Sequence, residues 1–311
     1  MTWNILLAEA LAEHSKVQLP GDVSLPVMPS VVTEFSQKAD NPNANAKQLS
    51  AIVENDGGLT MELLKHVNSS SLGLKRKAVT TQQAISLLGI RQSKLFLLTR
   101  GLRLSLAALK DSRVKELIDL EQFSHSNLER ALFAQCVAKM FKADADIAFA
   151  ASMMQDVMLP VLMESHFDDY QQHLELKSSV TRPLIEFERE CFDNDHAVAA
   201  AFQMKDWGFP DDLVYCCLRH HADLEILADA QLGRSAVAAV AIASLLPDQL
   251  QQTPNGLLEL LRLEETLAGF SLNSVAAIVD AHLAEQNLPG MQKRVPLVQR
   301  IAESSAVAVE A

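Results

Sequence analysis

Apolar residues return every three or four positions along nearly the whole chain, and no segment alternates apolar with polar residues long enough for a convincing strand. That periodicity restricts the fold to packed helices. Composition points the same way. Of 311 residues 49% are apolar but only 5% aromatic, so the core must be built mainly from Leu, Ala, Val and Met. These side chains suit helix–helix packing better than sheets rich in β-branched and aromatic residues.

Punctuation divides the pattern. Pro26 and Pro29 open a helix near Val31, Asn41-Pro42-Asn43 breaks it, and a second spans about 46–54. Asp56-Gly57-Gly58 reads as a turn before a helix through Leu59, Leu63, Leu64 and Val67 that ends near Asn68. Thr80 with Gln83 three residues later is a capping-box pattern, and Gly89 stops the short helix that follows. A helix or helix pair from Arg91 leads to a polar join at Lys110-Asp111-Ser112, where two lobes are expected to meet. Helices are then expected over about 124–141, 147–163, 182–191, 195–207, 210–221, 235–246, 256–267 and 271–285, with 305–311 frayed.

The formal net charge is −12, which argues against nonspecific nucleic-acid binding. Residues 63–110 are the exception. They contain no Asp or Glu but nine Lys and Arg, so the rest of the chain stands at −21. Within that stretch Lys75, Arg76, Lys77, Arg91 and Lys94 are the candidates for contact with an anionic partner; the bland alternative is solvated charge balancing the acidic remainder. No apolar run approaches the roughly 20 residues that span a bilayer. Met1 to Leu19 carries Glu9, Glu13, His14 and Lys16, unlike a signal peptide. The expectation is a cytoplasmic protein without a membrane segment. Cys136, Cys191, Cys216 and Cys217 form no CxxC pair and read as small hydrophobes.

Four blocks give the chain a family likeness. Leu25-Pro26-Val27-Met28-Pro29 resembles an opening LPxLP segment, and residues 52–60 with Leu63-Leu64-Lys65-His66-Val67-Asn68-Ser69 resemble an "I..DP.LT..LL...NS" helix pair. Thr80 to Gly89 is similar to an "(S/T)xxxAIxxLG" block, and Trp207-Gly208-Phe209-Pro210 ahead of His220-His221 is similar to a "WxxP … HH" ending. Together they resemble the HDOD family, the HD-related output domains of bacterial signalling proteins. The resemblance implies an all-α, two-lobed helical bundle: an N-terminal helix at 1–24, an HDOD domain at 25–222 with lobes 25–110 and 111–222, the second HD-like, and a C-terminal helical extension at 223–311.

The related HD phosphohydrolases use histidines and aspartates to hold divalent metal, which activates water against a phosphoester. Against that pattern His125 matches the first His, and residues 152–158 lie on GLLHDIG, so that Asp156 survives while Gln155 replaces the His. His196, His220 and His221 fall where HD-GYP relatives carry extra histidines, and Ser244 falls where the last Asp would stand. A Gln amide is a weak ligand and Ser removes a charge, so the sequence alone predicts no catalytic residues, no metal and no cofactor. The plainer alternative for His125, His220 and His221 is a hydrogen-bonded core histidine on an apolar helix face. The leading expectation is a non-catalytic signal-transduction module binding other signalling proteins, with a small ligand in the old pocket as a variation. The rival is a residual metal-dependent phosphohydrolase acting on a nucleotide or cyclic dinucleotide.

Overall fold

The computed structural model describes residues 2–14, 27–68, 77–106, 113–176, 182–285 and 294–310, and among these every regular element is helical. The chain divides into two compact units. One comprises residues 24–110 together with 204–209, and the other comprises 1–23, 111–203 and 210–311.

The smaller unit contains α2 (Ser30–Ala39), α3 (Ala46–Val53), α4 (Gly57–Val67), α5 (Thr81–Leu88) and α6 (Ile90–Leu106). Each start has a local cause. Asn45 accepts the Gln48 N–H at the head of α3 and Thr80 accepts that of Gln83 at the head of α5, while the Gln83 amide returns to the Val79 N–H. Asp56 accepts the Leu59 N–H, so Gly57 and Gly58 form the first turn of α4 rather than the expected loop. Gly89, at φ +87°, ends α5 in a backbone region that other residues avoid. Asn68 bonds both the carbonyl and the N–H of Ala78. Val32, Phe35, Leu49, Val53, Leu63, Ile85 and Leu97 are buried between these helices.

The larger unit contains α1 (Trp3–Ala12), α7 (Leu120–Phe141), α8 (Ala145–Met154), α9 (Leu159–Ser165), α10 (Phe167–Leu176) and α11 (Leu184–Phe192). α12 (His196–Asp206) begins in it and ends in the smaller unit. α13 (Asp211–Leu218), α14 (Ala236–Ser244), α15 (Gly256–Thr266), α16 (Leu272–Glu285) and α17 (Leu297–Glu310) complete it. α14 is apolar all round, and every one of its residues is buried between α7, α8 and α13. Residues 223–311 therefore share a compact unit with the HD-like lobe. Residues 305–310 continue α17 as helix, where the sequence suggested fraying.

The expected helix over 147–163 is two helices. Pro160 lies in the first turn of α9, and a continuous helix would set its ring against the carbonyl of Asp156. The chain turns instead through Gln155–Met158, which aims Asp156 into the interior. The run Ala145–Ser165 is long and apolar enough to cross a membrane by length and composition, contrary to the sequence expectation. Within it, 83% of the most apolar 18-residue window is buried in the fold.

Candidate functional site

Asp156, at the turn between α8 and α9, is fully buried, and its two oxygens face different surroundings. Oδ2 accepts from Arg130 of α7 at 2.8 Å and from the Gln252 amide at 3.2 Å. Arg130 continues to Asp248 and to the Leu246 carbonyl, both at 3.0 Å, and Gln252 closes the ring on Asp248 at 2.7 Å. Oδ1 makes no hydrogen bond, though it lies 3.5 Å from His196 Nε2 and 3.4 Å from His220 Nε2.

The imidazoles are set by their outer nitrogens. Asp195 accepts the Val198 N–H at 2.9 Å, starting α12 so that His196 is its first residue. His196 Nδ1 lies 2.6 Å from Glu188 of α11, which also accepts the His196 N–H and the Tyr170 hydroxyl. α13 ends at Leu218, and His220 Nδ1 turns back onto the Cys217 carbonyl at 2.6 Å. A carbonyl only accepts, so that nitrogen carries a proton and Nε2 is turned inward. The Nε2 atoms of His196, His220 and His221 gather within 4.8 Å of one another, with His196 at 3.2 Å from His220 and 3.1 Å from His221.

The charges follow from this packing. Burial alone would raise Asp156, but the adjacent His196 and His220 and the Arg130 charge hold it well below the usual carboxylate range. Burial opposes the charge on His196, yet Glu188 and Asp156 outweigh it and raise the group to about 10. Burial and the neighbouring His220 and His196 push His221 well below the ordinary imidazole value. Asp156, His196 and His220 are closed off, and only His221 is half-exposed.

Relatives put this site in a family. The HDOD domain description matches residues 25–223. The chain belongs to the HDOD family. An uncharacterized protein of Treponema pallidum (strain Nichols) is 22% identical over 199 residues, 63% of this chain; the aligned region spans only 37% of that relative's length. A Shewanella amazonensis SB2B structure, named provisionally as a phosphohydrolase, is 16% identical with a TM-score of 0.56 over 96% of this chain and 93% of its own. A Marinobacter aquaeolei VT8 structure, named provisionally as a signal transduction protein, is 17% identical with a TM-score of 0.52 over 98% of this chain and 65% of its own. At these identities the two structures establish the shared all-α fold.

Of the pocket residues the HDOD resemblance suggested, the structure gathers Asp156, His196, His220 and His221. Gln155 and Ser244 are buried beside them and bond to each other, the hydroxyl donating to the amide oxygen at 3.2 Å. His125 is half-exposed and outside the imidazole group. The buried line of α7 runs through Phe123, Asn127, Arg130, Ala134, Val137 and Phe141, and His125 lies off it, half-exposed. Arg130 is therefore what α7 presents to Asp156.

Sequence reasoning missed Arg130, Glu188, Asp248 and Gln252. Glu188 had a legible signal, standing four residues after Leu184 on the inner face of α11. The basic stretch is corrected in part. Lys94 is buried and paired with Asp40 at 2.6 Å, so it is withdrawn from any free patch. Lys77 and Arg91 are exposed, while Lys75 and Arg76 lie outside the described residues. The cysteine reading is also adjusted: Cys216 and Cys217 are buried, but Cys191 is exposed.

Proposed function

We propose that this HDOD protein is a regulatory module without hydrolytic activity, working in the cytoplasm through contacts with other signalling proteins. The observation that carries the reading is Arg130. Its buried guanidinium and Gln252 occupy Asp156 Oδ2, while the two altered ligand positions, Gln155 and Ser244, are joined by one bond from the Ser244 hydroxyl to the Gln155 amide oxygen. A hydrolytic centre needs a metal with an open coordination position and a path for substrate and water. Here a fixed positive charge takes half of the only carboxylate retained from the motif, and Asp156, His196 and His220 are shut away from solvent. Family membership and the naming of the Marinobacter neighbour favour a signalling role over a metabolic one.

The test is phosphodiester turnover. Untagged protein supplied with Mn2+, Fe2+ or Zn2+ is incubated with cyclic dinucleotides and bis(p-nitrophenyl) phosphate, and no turnover above buffer is expected. Steady turnover that disappears in Asp156→Ala would instead make the protein a phosphohydrolase. Contact with an acidic partner protein is proposed for the sequence Lys75-Arg76-Lys77, of which Lys77 lies among the described residues and is exposed. Replacing all three with Ser should weaken partner capture and its salt sensitivity together.

A further inference from the structure

We propose that α17 is a displaceable helix, and that the groove it fills on α7, α15 and α16 is the interaction surface for an arginine-flanked amphipathic helix of a partner protein. The resident helix shows what the groove accepts. α17 lies on α15 and α16, and its head reaches α7. Leu297 and Ile301, four apart on one face, are its buried side chains among those described. Arg294 and Arg300 stand three residues to either side of Leu297. Both guanidiniums bind one carboxylate, Glu129 of α7, which is 5% exposed. Arg294 also meets Asp280 of α16 at 2.7 Å, and Asp280 accepts the Leu297 and Val298 N–H groups at 2.9 and 3.0 Å.

Three features make this contact reversible. It is narrow, because Leu297 and Ile301 anchor a helix of 14 residues while Val295 and Val298 stay exposed. It is charged. Glu129 and Asp280 balance Arg294 and Arg300 in the docked state, so departure of α17 leaves two carboxylates beside the apolar sockets of Leu297 and Ile301. A groove of that make-up selects cations spaced around an apolar i, i+4 pair, the chemistry that α17 itself carries. Finally, isolated helices of about 12–15 residues or fewer are marginal in water, so α17 loses its helix when it leaves.

Displacement reaches the interior. Glu129 adjoins Arg130, and Arg300 lies 3.5 Å from the Pro247 carbonyl, next to Asp248. Release of α17 therefore loosens α7 and the segment after α14 at the points where Arg130 and Asp248 meet. The inference rests on the regulatory reading for the partner's being a signalling protein; phosphodiester turnover tests that reading, and helix release tests this one.

The experiment uses the full-length chain. In hydrogen exchange followed by mass spectrometry, α17 amides are expected to open in a sub-global step, faster than those of α14 and faster still as salt rises. A fluorescent peptide of residues 294–310 is then titrated against the wild type and against Arg294→Ala/Arg300→Ala. In the wild type the tethered α17 competes at an effective concentration on the order of millimolar. The weakened α17 of the variant leaves the groove open in a larger share of molecules, so the peptide should bind it at least about tenfold more tightly. The same peptide carrying both Ala replacements should bind neither protein. Exchange of α17 only together with α14, in global unfolding, would overturn the proposal on the wild type alone. A peptide that binds the variant no better than the wild type would overturn it too. So would a stable dimer in light scattering that the double variant loses, since it would give the groove to α17 of a second copy.

Discussion

Replacing Arg130 with Met tests how the interior of the larger unit is held together. The guanidinium is 2% exposed and lies 2.8 Å from Asp156 and 3.0 Å from Asp248, carboxylates that are 0% and 3% exposed. Met restores much of the packing volume but leaves both acids buried without their cation. Breaking a buried pair from one side costs about 3–5 kcal/mol, because the remaining charge keeps its desolvation penalty. For a unit of this size each kcal/mol lowers Tm by about 2–4 °C, so a fall of roughly 6–20 °C is expected in a thermal melt followed by circular dichroism. Adding Asp248→Asn removes one of the orphaned charges and should recover about 1–3 kcal/mol, a coupling that a double-mutant cycle in urea reads directly. A loss below about 1 kcal/mol for Arg130→Met, or a double variant no more stable than the single one, would refute the account of Arg130 as the counter-charge of this interior.

Two further outcomes can be checked. Asn68→Ala removes both bonds to Ala78, whose backbone is buried, and should cost about 1–3 kcal/mol in urea unfolding. Asp280 on α16 accepts the Leu297 and Val298 N–H groups at the head of α17 and pairs with Arg294; partial burial opposes its charge, but these bonds depress the carboxyl below its ordinary value. A depressed folded-state value means the stabilisation is present above the unfolded-state value of about 3.9 and is lost as pH falls through the lower folded one. Hydrogen exchange of α17 amides, relative to their intrinsic rates, should therefore accelerate selectively below about pH 4, and Asp280→Asn should remove that pH dependence.

Much of this fold follows from local chemistry. The caps at Asn45, Asp56 and Thr80 and the stop at Gly89 act within four residues of themselves, so the sequence displays them directly. The all-apolar run of α14 likewise can only be a buried helix. Pro160 marked the break that turns Asp156 inward, although the apolar periodicity on either side conceals it. The family blocks supplied the candidate residues His196, His220 and His221, but not their arrangement.

Tertiary structure alone decided which residues meet. Arg130 and Asp248 are 118 positions apart, Gln155 and Ser244 are 89 apart, and nothing in the pattern around any of them records its partner. Helical periodicity says which face of a helix is buried, but not which face of another helix covers it or at what rotation. On α7, assigning the buried line to His125 rather than to Arg130 is enough to exchange a ligand for a counter-ion. That His196 lies 3.1–3.5 Å from His221, His220 and Asp156 depends on three helix ends being fixed together, and that is a property of packing among distant segments.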